Sequence, residues 1–230
     1  FIFLFGLGIL FSSPIQGQQR VTQKEYNVDS TLYTYYMRCK AEVSSPIVMQ
    51  MSDTLFLMAE EKGDQRMQAV ALCNKLDYFY YKNDQPDSIS HYVEIVKDFA
   101  RKTNQPKYYY FVWSKRLIYY YIKQYQYNIA LYEANKMMKE AEQEKYMDGI
   151  ANAYNVLSSI YQLKRLFNLA INNKKKEIEI TLQYNLNKFN LSIYYSGLTN
   201  LYCELGEADN ALENLNKSAS CLYSSTQEYY

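Results

Sequence analysis

The sequence predicts an all-α fold of repeated helix hairpins, and three observations carry that prediction. Glycine and proline number only seven and four in 230 residues. That is too few for a fold rich in strands and turns, and it leaves long helices undisturbed. The segments "ALCNKLDYFYYKNDQPDSISHY", "VWSKRLIYYYIKQYQYNIALY", "ANAYNVLSSIYQLKRLFNLAI" and "IYYSGLTNLYCELGEADNALENL" superpose on one another, with a small gap in the first. Their shared columns hold Leu76, Leu117, Leu157 and Leu198, then four residues on Tyr80, Tyr121, Tyr161 and Tyr202, and then the small residues Ser90, Ala130, Ala170 and Ala211. Leu and Tyr four apart lie on one helical face, and the small column fits a second helix crossing closely against the first.

At the start of the chain, the apolar run from Phe1 to Phe11 is too short to span a bilayer, which takes roughly 20 residues. It reads as the core of an export signal that lacks its first residues, with Ile15 and Gly17 at the −3 and −1 sites and cleavage after Gly17. An uncleaved membrane anchor is the other reading. Residues 18–29 are a linker, and helical repeats occupy 30–230, with the array expected to continue past Tyr230. The first hairpin is "DSTLYTYYMRCKAE" followed by "SSPIVMQMSDTLFLMAEEKGD". There Ser45 is expected to cap the second helix, Pro46 to take its first position and Gly63 to end it. In the next unit Asp87 is expected to cap after Pro86. The Tyr column steps by 41, 40 and 41 residues, so five hairpins, or ten helices, fill the region.

Composition narrows the function classes. Lys and Arg number 25 against 24 Asp and Glu, so the chain lacks the basic surplus that a phosphate backbone demands, and nucleic acid is not an expected partner. Cys39, Cys73, Cys203 and Cys221 have no metal-type spacing and read as buried free thiols. His91 is the single histidine and reads as a surface or boundary residue. With no phosphate loop, nucleophile elbow or metal cluster, no catalytic residue, metal or cofactor is expected. The runs "NNKKKEIEI" and "KEAEQEK" read as solvated faces of outer helices, knit by i,i+4 pairs.

The repeat resembles the tetratricopeptide repeat (TPR), W-x2-L-G-x2-Y, then A-x3-F, then P. The last unit carries most of the likeness, through Tyr195, Leu198, Thr199, Tyr202, Gly206, Ala211 and Leu215. The departures are Asp77, Ile118, Ser158 and Thr199 at the small-Gly position, no terminal Pro, and a period near 40 in place of 34. The resemblance implies a right-handed superhelical solenoid with helix A of each hairpin on a concave wall and helix B outside.

Counted from the Tyr column, the wall positions six before it are Asn74, Lys115, Asn155 and Ser196. Those two before it are Tyr78, Tyr119, Ser159 and Asn200, and those two after it are Lys82, Lys123, Leu163 and Glu204. By resemblance, Asn74, Tyr78, Lys82, Lys115, Tyr119, Lys123 and Asn155 are the expected contacts for a peptide or protein ligand. Tyr120 and Tyr121 are assigned to helix packing, and Tyr108, Tyr109 and Tyr110 are left unassigned. An export signal followed by such an array is similar to the extracytoplasmic sensor half of bacterial membrane-bound histidine kinases and helix-turn-helix regulators. The expected function is therefore non-catalytic sensing in the periplasm, with any membrane attachment made by the uncleaved signal or by a transmembrane helix further on. A free-standing periplasmic scaffold is the alternative.

Overall fold

A computed structural model of the chain describes residues 29–82, 86–186 and 190–227. The expected export signal and all but the last residue of the linker lie outside the described residues. Everything regular in them is helical. The order is α1 (Ser30–Ala41), α2 (Ile47–Glu61), α3 (Gln65–Lys82), α4 (Pro86–Lys102), α5 (Pro106–Val112), a π-helical turn (Trp113–Ile118), α6 (Tyr119–Lys123), α7 (Tyr127–Gln143), α8 (Met147–Leu163), α9 (Phe167–Gln183), α10 (Leu191–Leu205) and α11 (Ala208–Gln227). α5, the π turn and α6 are one continuous rod, so the described residues form the expected ten helical rods. Successive helices pack on one another. The odd members of the hairpins also touch in sequence, α1 on α3, α3 on α5 and α5 on α8, as in a helical repeat.

One turn recurs between rods. Gly63, Asn104, Tyr125, Lys145, Arg165, Asn185 and Gly206 all have φ between 50° and 75°, and each ends a helix by entering the left-handed region. The residue after each then donates its N–H to a carbonyl five residues back, for example Asp64 to Ala59 at 2.8 Å, Gln126 to Tyr121 at 2.9 Å and Glu207 to Tyr202 at 2.9 Å. That bond satisfies a carbonyl the helix end would otherwise strand. Gly63 thus ends α2 as its sequence predicts. Ser45 does not cap by its side chain. Pro46 stands at the cap position, and the Ser45 carbonyl accepts from the Val48 N–H at 3.0 Å. Asp87 likewise lies inside the first turn of α4, because the helix begins at Pro86.

The π turn lies between two of these left-handed residues. From Asn104 to Tyr125 the chain has one residue more than from Lys145 to Arg165, and a π turn accommodates one additional residue without breaking the helix. Ser114 Oγ stabilises it by donating to the carbonyls of Tyr110 at 2.8 Å and Phe111 at 3.1 Å. Upstream of the turn the register shifts by one, which moves Trp113 into line with Tyr154 and Tyr195.

The columns form the core. Leu76, Leu117, Leu157 and Leu198 are all buried, as are Ala130, Ala170 and Ala211, while Ser90 is half-buried. Tyr80 and Tyr202 are buried and Tyr121 and Tyr161 half-buried. Tyr109, Tyr110 and Trp113 are buried and tie the rod of α5 and the π turn to α4 and α7. Tyr110 Oη donates to Glu144 at 2.7 Å and Trp113 Nε1 to Glu133 at 2.9 Å, while Lys97 sits 4.7 Å from the Tyr109 ring centre. The charge runs are not purely solvated. Glu140 of "KEAEQEK" bridges to Lys97 and Arg101 of α4 at 3.1 and 2.6 Å. Lys174 and Glu177 of "NNKKKEIEI" form a buried pair at 2.6 Å. Of the thiols, Cys39 is buried, Cys73 half-buried and Cys203 exposed, each free. Cys203 therefore departs from the buried expectation. No helix among the described residues is long and apolar enough to cross a membrane.

Candidate functional site

The expected contacts fall on two adjacent helical rods. Asn74, Tyr78 and Lys82 follow at four-residue steps on α3, and Lys115, Tyr119 and Lys123 follow likewise from the π turn through α6, so each trio shares a face. α3 packs against α5 and the π turn. Lys82 Nζ lies 5.6 Å from the centre of the Tyr78 ring, and Lys115 Nζ lies 5.3 Å from that of Tyr119. Lys123 Nζ is 4.0 Å from the centre of the Tyr80 ring, across the boundary between the two hairpins. Such cation–π contacts contribute about 0.5–1 kcal/mol at exposed sites, and they hold an ammonium in place without neutralising it. Among the described residues no carboxylate is bonded to Lys82, Lys115 or Lys123. Burial, and then the nearby Arg116 guanidinium, hold the Lys123 ammonium below the usual lysine pKa of 10.5.

Beneath these cations runs an ion pair that the sequence reading did not contain. Arg116 donates from Nε to Asp77 Oδ1 at 2.5 Å and from Nη2 to Oδ2 at 3.2 Å. Its guanidinium carbon also stands 5.0 Å from the Tyr80 ring centre and 5.3 Å from that of Phe111. Both side chains are nearly out of solvent, at 6% exposure for Asp77 and 14% for Arg116. Asp77 occupies the position where the TPR pattern carries a small residue. The larger side chain fits here because it reaches the next hairpin instead of filling its own crossing. The signal was in the sequence as an acid in one repeat and a base 39 residues later, but no periodic rule links the two.

The asparagines behave differently from the lysines. Asn74 is buried at 3% exposure, and its Nδ2 has no hydrogen-bond partner among the described residues. Asn155 donates to Glu177 Oε1 at 2.6 Å, inside the buried cluster with Lys174. Asn155 is thus engaged within the protein. Of the other expected contacts, Lys82 is exposed and Tyr78, Lys115, Tyr119 and Lys123 are half-buried, all on the two adjacent rods. His91 is exposed and edges the Tyr92 ring, and no set of three acidic, cysteine or histidine side chains among the described residues could hold a metal ion.

Fold and site together define an all-helical protein of successive hairpins with a cationic, tyrosine-lined patch on its second and third odd helices. No family model matches the chain, and no curated protein matches it. Its fold is similar to that in the crystal structure of BtubC (BKLC) from P. vanneervenii, with a TM-score of 0.54 over 86% of this chain and 93% of that one. At 12% identity the likeness extends to the fold alone.

Proposed function

We propose that the chain is a tetratricopeptide-type solenoid that binds a peptide or protein segment on its helix A wall. In this reading it serves as the non-catalytic, extracytoplasmic sensing part of a bacterial membrane-bound signalling protein. The observation that carries the binding reading is the stripe Lys115, Tyr119, Lys123 beside Tyr78 and Lys82. Three ammonium groups are held on rings with no carboxylate bonded to them among the described residues. A ligand carboxylate would meet fixed positive charge there, and the Asp77 carboxylate is already committed to Arg116. The rings offer flat apolar surface for the ligand's side chains.

The position of the patch supports the sensing reading. Its two trios belong to successive hairpins, so a ligand that contacts both favours one spacing of those hairpins over others. A difference in ligand affinity between two spacings is what shifts a two-state element further along the protein. Lys115→Glu is expected to weaken pull-down of a bound peptide and to leave the melting curve unchanged. Unaltered binding would remove Lys115 from the site. The sequence beyond Tyr230 separates sensing from scaffolding. An apolar run of roughly 20 residues followed by a kinase or DNA-binding region supports the sensor, and a stop codon supports the free-standing scaffold.

A further inference from the structure

The middle of the array carries an apolar surface that its neighbours leave uncovered. Ile129 and Tyr132 share a side of α7, three residues apart, and Tyr125 stands in the turn just before that helix. Leu166 and Leu169 occupy the matching turn and first helical turn of α9. All five are exposed, Tyr125 at 77% and Tyr132 at 66%. Lys164 Nζ donates to Asn128 Oδ1 at 3.4 Å, which sets the turn before α9 beside the first turn of α7. The buried Ala130, Ala134, Ala170 and Ile171 hold the two helices on the array by their other sides. Complete hairpins precede and follow this pair, α3 with α4 and α10 with α11, so the exposure belongs to the interior of the array and not to either end.

The charge around this surface has one sign. No Asp or Glu occurs from Phe99 to Tyr132 or from Gly149 to Lys176, and these stretches supply both turns and the starts of both helices. Glu133, the next acid along α7, accepts from Trp113 Nε1. Lys164 and Arg165 are exposed in the turn itself, and Lys175 and Lys176 are exposed further along α9. Asp87 on α4 and Glu207 and Asp209 beside the start of α11 belong to the flanking hairpins, and they limit the cationic surface to the third and fourth. Single exposed leucines need no explanation, but a cluster of five large apolar side chains rimmed by cations marks an interaction surface.

We propose that this surface rests on a lipid bilayer that carries anionic headgroups. Tyr125, Ile129, Leu166 and Leu169 enter the interfacial layer, and Lys164 and Arg165 meet the headgroup phosphates. Tyrosine suits that depth because its ring is apolar and its hydroxyl stays wet, and aliphatic side chains beside cations are the usual makeup of a surface that lies on a membrane. The charge complementarity selects this occupant. A second copy of the chain would bring Lys164 and Arg165 against their like and offer no acid in the patch to pair them, whereas an anionic leaflet draws each cation within a Debye length of it. The groove stripe lies on α3 and on the rod of α5 and α6, so the membrane contact stands whether or not a peptide binds there.

Fluorescence of the Tyr125→Trp chain with lipid vesicles tests the assignment. Trp113 is the one native tryptophan and is buried, so a vesicle-dependent change reports position 125. With phosphatidylglycerol vesicles the emission should shift to the blue and be quenched by bromine on the acyl chains, and phosphatidylcholine vesicles should bind about tenfold or more weakly. Adding Lys164→Glu/Arg165→Glu should weaken phosphatidylglycerol binding by about tenfold or more, with an unchanged helical circular dichroism spectrum. Leu57→Trp, at an exposed leucine of α2, should show no shift. Absence of a shift at position 125 would overturn the proposal, as would an equal shift at position 57 or unaltered binding by the double glutamate variant. A response to polyglutamate in place of vesicles would give the surface to an acidic protein and overturn it equally.

Discussion

The buried pair between Asp77 and Arg116 allows the hairpin-to-hairpin packing to be tested quantitatively. Asp77→Ala leaves a guanidinium with 14% of its side chain exposed and without either carboxylate bond. Its contacts with Tyr80 and Phe111 survive, so the loss should fall at the low end of the range for breaking a buried pair, about 3 kcal/mol. Arg116→Met strands a carboxylate that is only 6% exposed and has no aromatic support, which puts its cost nearer about 4–5 kcal/mol. Removing both charges together leaves no unpaired ion, and buried pairs replaced by apolar groups are often close to neutral. Asp77→Ala/Arg116→Met should therefore cost less than either single change, about 1–2 kcal/mol for the lost packing volume. Urea denaturation followed by circular dichroism reads all three on one scale, and a loss of about 3 kcal/mol moves the midpoint by ~1 M or more. Single losses under about 1 kcal/mol, or losses that simply add, would show that the two helices are not joined as described.

Three further outcomes follow from named contacts. Gly149→Ala gains about 1 kcal/mol of helix propensity but drives a methyl to within 2.9 Å of Ala141 Cβ and the Tyr146 ring. The overpacking should win, for a net loss of about 1 kcal/mol that lowers the melting temperature by about 2–4 °C. Tyr125→Gly should raise stability by about 1 kcal/mol, since Tyr125 holds φ at 58° with a 77% exposed side chain and glycine removes the left-handed strain. Lys123 has a folded pKa below its unfolded one, so the unfolded chain binds more protons in the alkaline range just under 10.5 and stability gains with pH there. The buried tyrosines, whose folded pKa values are raised, lose stability over the same range, so Lys123→Met should steepen the net alkaline fall in a pH series of urea midpoints.

What the sequence showed and what it concealed divide along one physical line. The Leu, Tyr and small-residue columns were legible because burial repeats with the helix period, and all of them lie in the core or at its edge. Gly63 marked its turn because glycine enters the left-handed region freely. Tyr125, Lys145, Arg165 and Asn185 adopt the same conformation with side chains that give no such signal, their turns being fixed by the packing of the helices on either side. The π turn, which contains the buried Trp113, gave no signal beyond a spacing longer by one residue. Polar residues misled most. Asn155, Lys174 and Glu177 looked like surface and form a buried cluster, whereas Lys82, Lys115 and Lys123, on the same kind of pattern, stand on rings without a bonded acid. Polarity alone does not tell a satisfied buried network from an open site, because the partner lies on another helix.

The central claim, that the cationic stripe takes an acidic peptide, is tested most directly by calorimetric titration with a ten-residue peptide rich in Asp and Glu bearing a free C-terminal carboxylate. Binding should be detectable at micromolar to submillimolar concentration. It should weaken at least tenfold, about 1.4 kcal/mol, in Lys115→Glu/Lys123→Glu, and fall with added salt as exposed charge contacts do. Equal heats for the parent and the double variant, or no binding by either, would contradict it.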